Sequence, residues 1–316
     1  PRQDVRFDER MIDEYSKFAN KLWNITRLVL MNAGGVELDA SVEGGDDPFD
    51  QWILSRLDGL VETVTAAIEG YRPSEAIRAM YDFAWKELAD WYLEAAKPRF
   101  RLEPGDAGRR QAVNVSLHCV GVLVRLLHPV MPFISQALWD RLPGGGSELI
   151  GRGPGLWPLP EGRRNPELEV HVTELFSLIR MVRDARKELG AGERERLGAV
   201  LKTTGRGSEL LTGEAGRACL GLLAGLDLVD SLDGTASRVV VGEGVEVLLA
   251  VRNEAPLNSA AWNREVEAAR ANIDRLDRRL ANPDFVGKAR AEVVQGTREQ
   301  LQAARERLTA LEEAQG

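Results

Sequence analysis

The side chains best suited to chemistry are few. Three histidines, His118, His128 and His171, and two cysteines, Cys119 and Cys219, are scattered over 316 residues. The histidines are too dispersed for a metal cluster. The cysteines lie far apart in apolar helical stretches, which excludes a disulfide framework and a cysteine zinc site. No glycine-rich nucleotide loop follows a strand, and neither Gly-x-Ser-x-Gly nor His-Glu-x-x-His occurs. The stretch Gly151 to Gly155 precedes Trp157-Pro158 rather than a helix, so it makes no phosphate cradle. The many carboxylates fall on solvated helix faces. His128 beside Pro129 reads as a capping or core residue, and His118 beside Cys119 as core. On residues alone no catalytic side chain and no metal site is expected.

Charge narrows the classes further. The net charge of −8 argues against strong generic affinity for nucleic acid. Its distribution is uneven: 16 basic and 22 acidic groups over 1–140, 15 and 17 over 141–261, and 10 and 10 over 262–316. An anionic partner must therefore meet local patches, and the last segment is best placed. No apolar run approaches the roughly 18 residues of a membrane span, and the start, Pro1-Arg2-Gln3-Asp4, has no signal-peptide core. These features point to a reducing, cytoplasmic setting.

The elements that must carry any function are mostly helical. Met11, Tyr15, Phe18, Leu22, Ile25 and Val29 repeat at 4-3-4-3-4, one face of a helix ended by Asn32-Ala33-Gly34-Gly35. Ile53 to Ala67 marks a second helix. A third starts at Pro73 and runs through Trp91 to a stop at Pro98; Val113 to Leu127 gives a fourth, and a short fifth ends near Leu142. Leu168 to Leu189 and Leu210 to Leu226 read as helices, Ala199 to Leu201 as a strand, and Arg238 to Val241 with Val245 to Val251 as a hairpin. Val266 to Leu280 and Val294 to Leu311 carry two heptad-like seams joined at Asn282-Pro283-Asp284-Phe285. The expected fold class is mainly α: a helical bundle over 1–145, a small α/β junction over 146–258, and an antiparallel coiled-coil hairpin over 259–316. Such an arm would reach about 30 Å.

Several blocks together resemble the bacterial valyl-tRNA synthetase family. They are Phe18-Ala19-Asn20-Lys21-Leu22-Trp23-Asn24 with Arg27 and Val29 to Asn32, Asp90 to Glu94 with Lys97-Pro98, Leu126 to Ile134 with Leu138-Trp139, Val182 to Glu188, and Asn282 to Val286 with Lys288-Ala289 and Glu292 to Val294. They run in collinear order over nearly the whole chain. Arg290 stands where the family usually has Pro, and 205–234 matches only loosely. The resemblance implies an anticodon-binding bundle and a tRNA-binding arm. It also implies that the catalytic and editing domains, with their ATP and magnesium, lie elsewhere, so that this segment holds no cofactor and makes no valyl-adenylate alone. The implied partners are a tRNA with a valine anticodon and the catalytic half of the same enzyme, with the segment monomeric and away from membranes. A coiled-coil adaptor of the ribosome-associated kind is the alternative, and the Trp-rich bundle disfavours it.

The resemblance also marks candidate contacts. Arg2, Phe18, Lys21, Arg27 and Phe83 are candidates for the anticodon, since aromatic stacking and cations hold splayed bases. Phe18 also fits the core stripe, and Phe83 borders the third. For the junction and arm, Arg183, Arg186, Arg264, Arg275, Arg278, Arg279, Lys288, Arg290 and Arg298 are candidates, against the alternative of a charge-balanced surface.

Overall fold

The computed structural model describes residues 9–39, 42–143, 150, 157–192, 195–203, 209–232, 237–242, 244–250, 260–281 and separate positions between 294 and 308. They fall in two compact units: Pro1–Leu232 with Ser237–Ala250, and Asp233–Ala236 with Val251–Gly316.

In the first unit α1 (Glu9–Ala33) buries Phe18, Leu22, Ile25 and Val29, the stripe read from the sequence. Helix α2 (Pro48–Glu69) starts where the Asp47 side chain accepts from the N–H groups of Phe49 and Asp50. Helix α3 (Pro73–Asp82) runs into a π-helical segment (Phe83–Tyr92) and then α4 (Leu93–Phe100). The expected stop at Pro98 is displaced to Phe100, because Phe100 is buried and Arg99 is anchored by an ion pair to Asp50. Helix α5 (Ala107–Leu127) and α6 (Pro132–Trp139) complete the bundle.

Helix α7 (Pro166–Glu188) joins the bundle to a four-stranded sheet. Its Glu169 accepts from the Ser55 hydroxyl and the Arg56 guanidinium of α2. Strands β1 (Leu197–Thr203), β2 (Leu226–Leu228), β3 (Ser237–Gly242) and β4 (Val245–Ala250) lie in the order β2-β1-β4-β3. Only the β1–β2 pair is parallel, with Ala199 opposite Leu228, while Val200 opposes Leu248 and Leu248 opposes Val239. The parallel pair needs a crossover, supplied by α8 (Glu209–Thr212) and α9 (Glu214–Ala224). The helix expected over Leu210 to Leu226 is therefore interrupted at Gly213 and ends at Gly225. Gly225 has φ +67°, and the Arg186 guanidinium occupies the space a Cβ would take. One contiguous apolar core runs from α1 to the sheet.

The second unit contains α10 (Ala260–Ala281). The described positions between 294 and 308 are helical, and Leu276, Val294, Thr297 and Leu301 are buried. Asp277 accepts from Arg305 at 3.0 Å, which ties these helical positions to α10. The expected turn at 282–285 lies outside the described residues.

Two buried polar clusters tie the bundle together. The Asp50 carboxylate, fully buried, accepts from both Nη atoms of Arg99 at 2.8 and 2.7 Å and from the Tyr92 hydroxyl at 2.7 Å. Burial pushes the Asp50 carboxyl up, and Arg99 opposes that push. Asp58 accepts from Arg163 Nη2 at 2.8 Å, and the same guanidinium donates to His118 Nε2 at 3.2 Å. Burial, then the charges of Arg163 and Arg125, push the His118 imidazole down to about 4.

Replacing Arg99 with methionine strands the Asp50 carboxylate and should cost about 3–5 kcal/mol. The readout is a lower urea midpoint at unchanged m-value. His118 gives a pH signature. The unfolded imidazole takes its proton near 6.5 and the folded one near 4. The unfolded state therefore binds more protons between those values. The stability His118 contributes is complete above pH 6.5 and declines by about 3 kcal/mol as pH falls towards 4. Urea titrations of wild type and His118→Gln over that range should differ by this slope; parallel curves would contradict it.

Candidate nucleic-acid interface

The apolar stripe of α1 leaves its other side to solvent. Asn20, Trp23, Asn24, Arg27 and Met31 are exposed along it. From Tyr15 to Val36 the chain has no Asp or Glu, though it has 49 in all. Lys17, Lys21 and Arg27 lie in that stretch. In an acidic protein this helix is a local exception.

Helix α6 completes the surface. The Arg141 guanidinium, just beyond it, lies 4.9 Å from the centre of the Trp23 ring. Its Nη1 donates to the Ala137 carbonyl, which fixes its position. Between the helices is a cleft of about 330 Å³ lined by Trp23, Thr26, Arg27, Leu30, Met31, Leu138 and Arg141. Arg27 has no ion pair among the described residues. The Thr26 hydroxyl donates to the Leu22 carbonyl, so the walls are mainly apolar. A slot with an indole wall and two guanidiniums at its mouth suits a flat aromatic ring carrying acceptors and a nearby phosphate.

The remaining candidates are placed as follows. Phe18 is buried, with its ring 4.9 Å from that of Tyr81, and Phe83 is buried in the core. Both pack rather than face solvent. Lys21 pairs with Asp90 at 3.0 Å and sits 4.9 Å from the Trp85 ring, beside the α1 face but engaged. Arg183 is exposed; its Nε donates to the Leu223 carbonyl, and its guanidinium lies 5.5 Å from the Trp91 ring. Arg186 is buried and donates to the carbonyls of Ala224, Gly192 and Glu195, so its expected surface role is replaced by one in joining α7 to α9 and the start of β1. In α10, Arg275, Arg278 and Arg279 are exposed, and Arg275 donates to Asn272. Arg298 is exposed too. Arg2, Lys288, Arg290 and the side chain of Arg264 lie outside the described residues. Trp23 and Met31 stand in the blocks that carry the family resemblance but were not among the candidate contacts, and Arg141 was not singled out from sequence. Trp23 had a signal in its place off the core stripe of α1. Arg141 had none, because only the packing of α6 on α1 brings it there.

Residues 50–201 match the model for the anticodon-binding domain of tRNA ligase, and 260–315 match the valyl tRNA synthetase tRNA binding arm. The valine–tRNA ligase of Thermotoga maritima is 35% identical over 98% of this chain, and that of Geobacillus stearothermophilus 33% over 96%. The enzyme of Synechocystis is 31% identical over 95%. The chain spans only about a third of these relatives, 35%, 35% and 34% of their lengths. The chain therefore belongs to the valyl-tRNA synthetase family and comprises its C-terminal anticodon-binding domain and tRNA-binding arm.

Proposed function

We propose that this chain is the tRNA-recognition part of a valine–tRNA ligase. The bundle takes the anticodon of a valine tRNA, and the arm takes the outer part of the same molecule. Together they set the acceptor end before the catalytic part of the enzyme, which is the second partner and the holder of ATP and magnesium. The chain acts as a monomer in the cytoplasm. Among the described residues no helix is long and apolar enough to cross a membrane. The observation that carries the reading is the carboxylate-free stretch from Tyr15 to Val36, with Trp23 beneath Arg141 at one cleft and Arg27 there without an ion pair among the described residues. An unstacked base offers a π-face to Trp23, acceptors to the guanidiniums and a phosphate to Lys17.

The reading is tested by filter binding at one fixed salt concentration, with valine tRNA against other tRNAs. Tighter binding of valine tRNA is expected, and equal affinity for all would remove the anticodon claim. Within that assay Trp23→Ala should weaken binding by about 1–3 kcal/mol, the value of one stacked base. The melt should change little, because Trp23 is already 37% exposed.

The arm generates a separate expectation. Its buried Leu276, Val294 and Leu301 belong to a compact unit of their own. Deletion from Ser259 onward should therefore leave the first unit folded while tRNA affinity drops. Each lost phosphate contact should flatten the salt dependence by nearly one log unit. A native circular-dichroism melt with unchanged affinity and slope would make the arm a spacer.

A further inference from the structure

Helix α7 presents a second cationic feature, distant in sequence from the α1 face. The guanidinium carbons of Arg180 and Arg183 lie 5.1 and 5.5 Å from the centre of one ring, that of Trp91. The two charges can be no farther apart than the sum of those distances. Trp91 is itself held: it is 6% exposed and stacks on Phe176 with centroids 4.0 Å apart and planes 7° from parallel. Phe176 is one helical turn before Arg180, so the ring that orients the two arginines is clamped by their own helix.

Neither arginine has a carboxylate partner among the described residues. Three acids of α7, the π-helical segment and α4 are held by other cations. Asp184 pairs with Lys187 at 3.4 Å, Glu87 with Arg56 at 2.8 Å, and Glu94 with Lys97. Arg183 spends its Nε on the Leu223 carbonyl at 2.8 Å, which leaves the outer edge of its fork free. Both residues are exposed. Two like charges kept together without a counter-charge repel each other, and a single dianionic or polyanionic group removes that cost. Planar forks on an indole are pre-ordered for phosphate oxygens, because less side-chain freedom is lost on binding.

We propose that Arg180 and Arg183, held on Trp91, form a second contact for the sugar–phosphate backbone of the bound tRNA, separate from the base cleft at Trp23. The proposal rests on the tRNA reading and adds a site to it. The α7 pair is sequence-blind: it supplies electrostatic grip and register, while the α1 cleft supplies base discrimination.

The test uses the whole chain and two variants, Arg180→Gln/Arg183→Gln and Arg180→Lys/Arg183→Lys, with tRNA affinity measured across a salt series. The glutamine variant should bind valine tRNA and other tRNAs alike roughly ten-fold more weakly at 0.1 M salt. Its salt slope should be lower by between one and two log units. The lysine variant should recover the slope, since it keeps the charges. Thermal melts of both should match the wild type, since the core ring remains. Trp23→Ala serves as the internal comparison, lowering affinity without changing the slope. A glutamine variant with the wild-type slope overturns the α7 site, while a Trp23→Ala effect in the same series keeps the tRNA reading intact. A wild-type chain that binds no tRNA overturns both.

Discussion

The bundle depends on one buried charge. Asp50 sits in the first turn of α2, with no exposed surface, and gathers Tyr92 from the π-helical segment and Arg99 from α4. A carboxylate in such a place is tolerable only when its charge and lone pairs are answered. Answering them fixes three elements against one another. The wider turn of the π-helical segment is part of the arrangement, since it carries Trp91 and Tyr92 side by side into the core while α4 continues to Arg99. Such π segments often accompany function. Here its two buried aromatics have different tasks: Tyr92 completes the Asp50 cluster, and Trp91 meets α7 through Phe176.

Helix α7 then carries that order outward. Ser55 and Arg56 bind its first turns through Glu169, and Arg186 closes its last turn onto the carbonyls of Ala224, Gly192 and Glu195. The sheet is thus fixed to the bundle by one strut with hydrogen-bonded ends and an apolar middle of Val172, Leu175, Ile179 and Val182. Arg186 illustrates why residue type alone does not assign function. Its guanidinium faces inward because Gly225 leaves it room and a helix end supplies carbonyls. Arg183, one turn earlier, faces outward.

Periodic features were legible in the sequence. The α1 stripe and the hairpin of β3 and β4 follow from repeats of 3.6 and 2, which the folded chain obeys because each buries one face. Short or non-local features were not. Leu226–Leu228 is too brief to show a period; parallel pairing with β1 makes it a strand. Pro98 carried a stop signal, yet α4 continues to Phe100, because the Asp50 ion pair and burial outweigh the missing N–H. The cleft was half legible. Trp23 and Arg27 stand off the core stripe, but Arg141 arrives from another helix. Phe18 and Phe83 looked equally able to stack on a base or fill a core, and only burial separates those roles.

An acidic chain that binds RNA must solve an electrostatic problem locally. Several cations of the first unit are consumed internally: Arg56, Arg99, Arg110, Arg163, Arg164 and Arg196 all hold carboxylates. Such pairs contribute little at a distance, because each is nearly neutral and is screened beyond about 10 Å at ordinary salt. What a phosphate backbone meets is set by the cations left over. Arg27 lies in a stretch, Tyr15 to Val36, that holds no carboxylate, and neither Arg180 nor Arg183 has a carboxylate partner among the described residues. The net charge of −8 then works in favour of discrimination, since it repels polyanions everywhere that these cations do not face. On the proposed reading a tRNA gains affinity by presenting its anticodon loop and backbone to those places and its outer part to the arm, so the shape of the whole molecule becomes part of what is recognised.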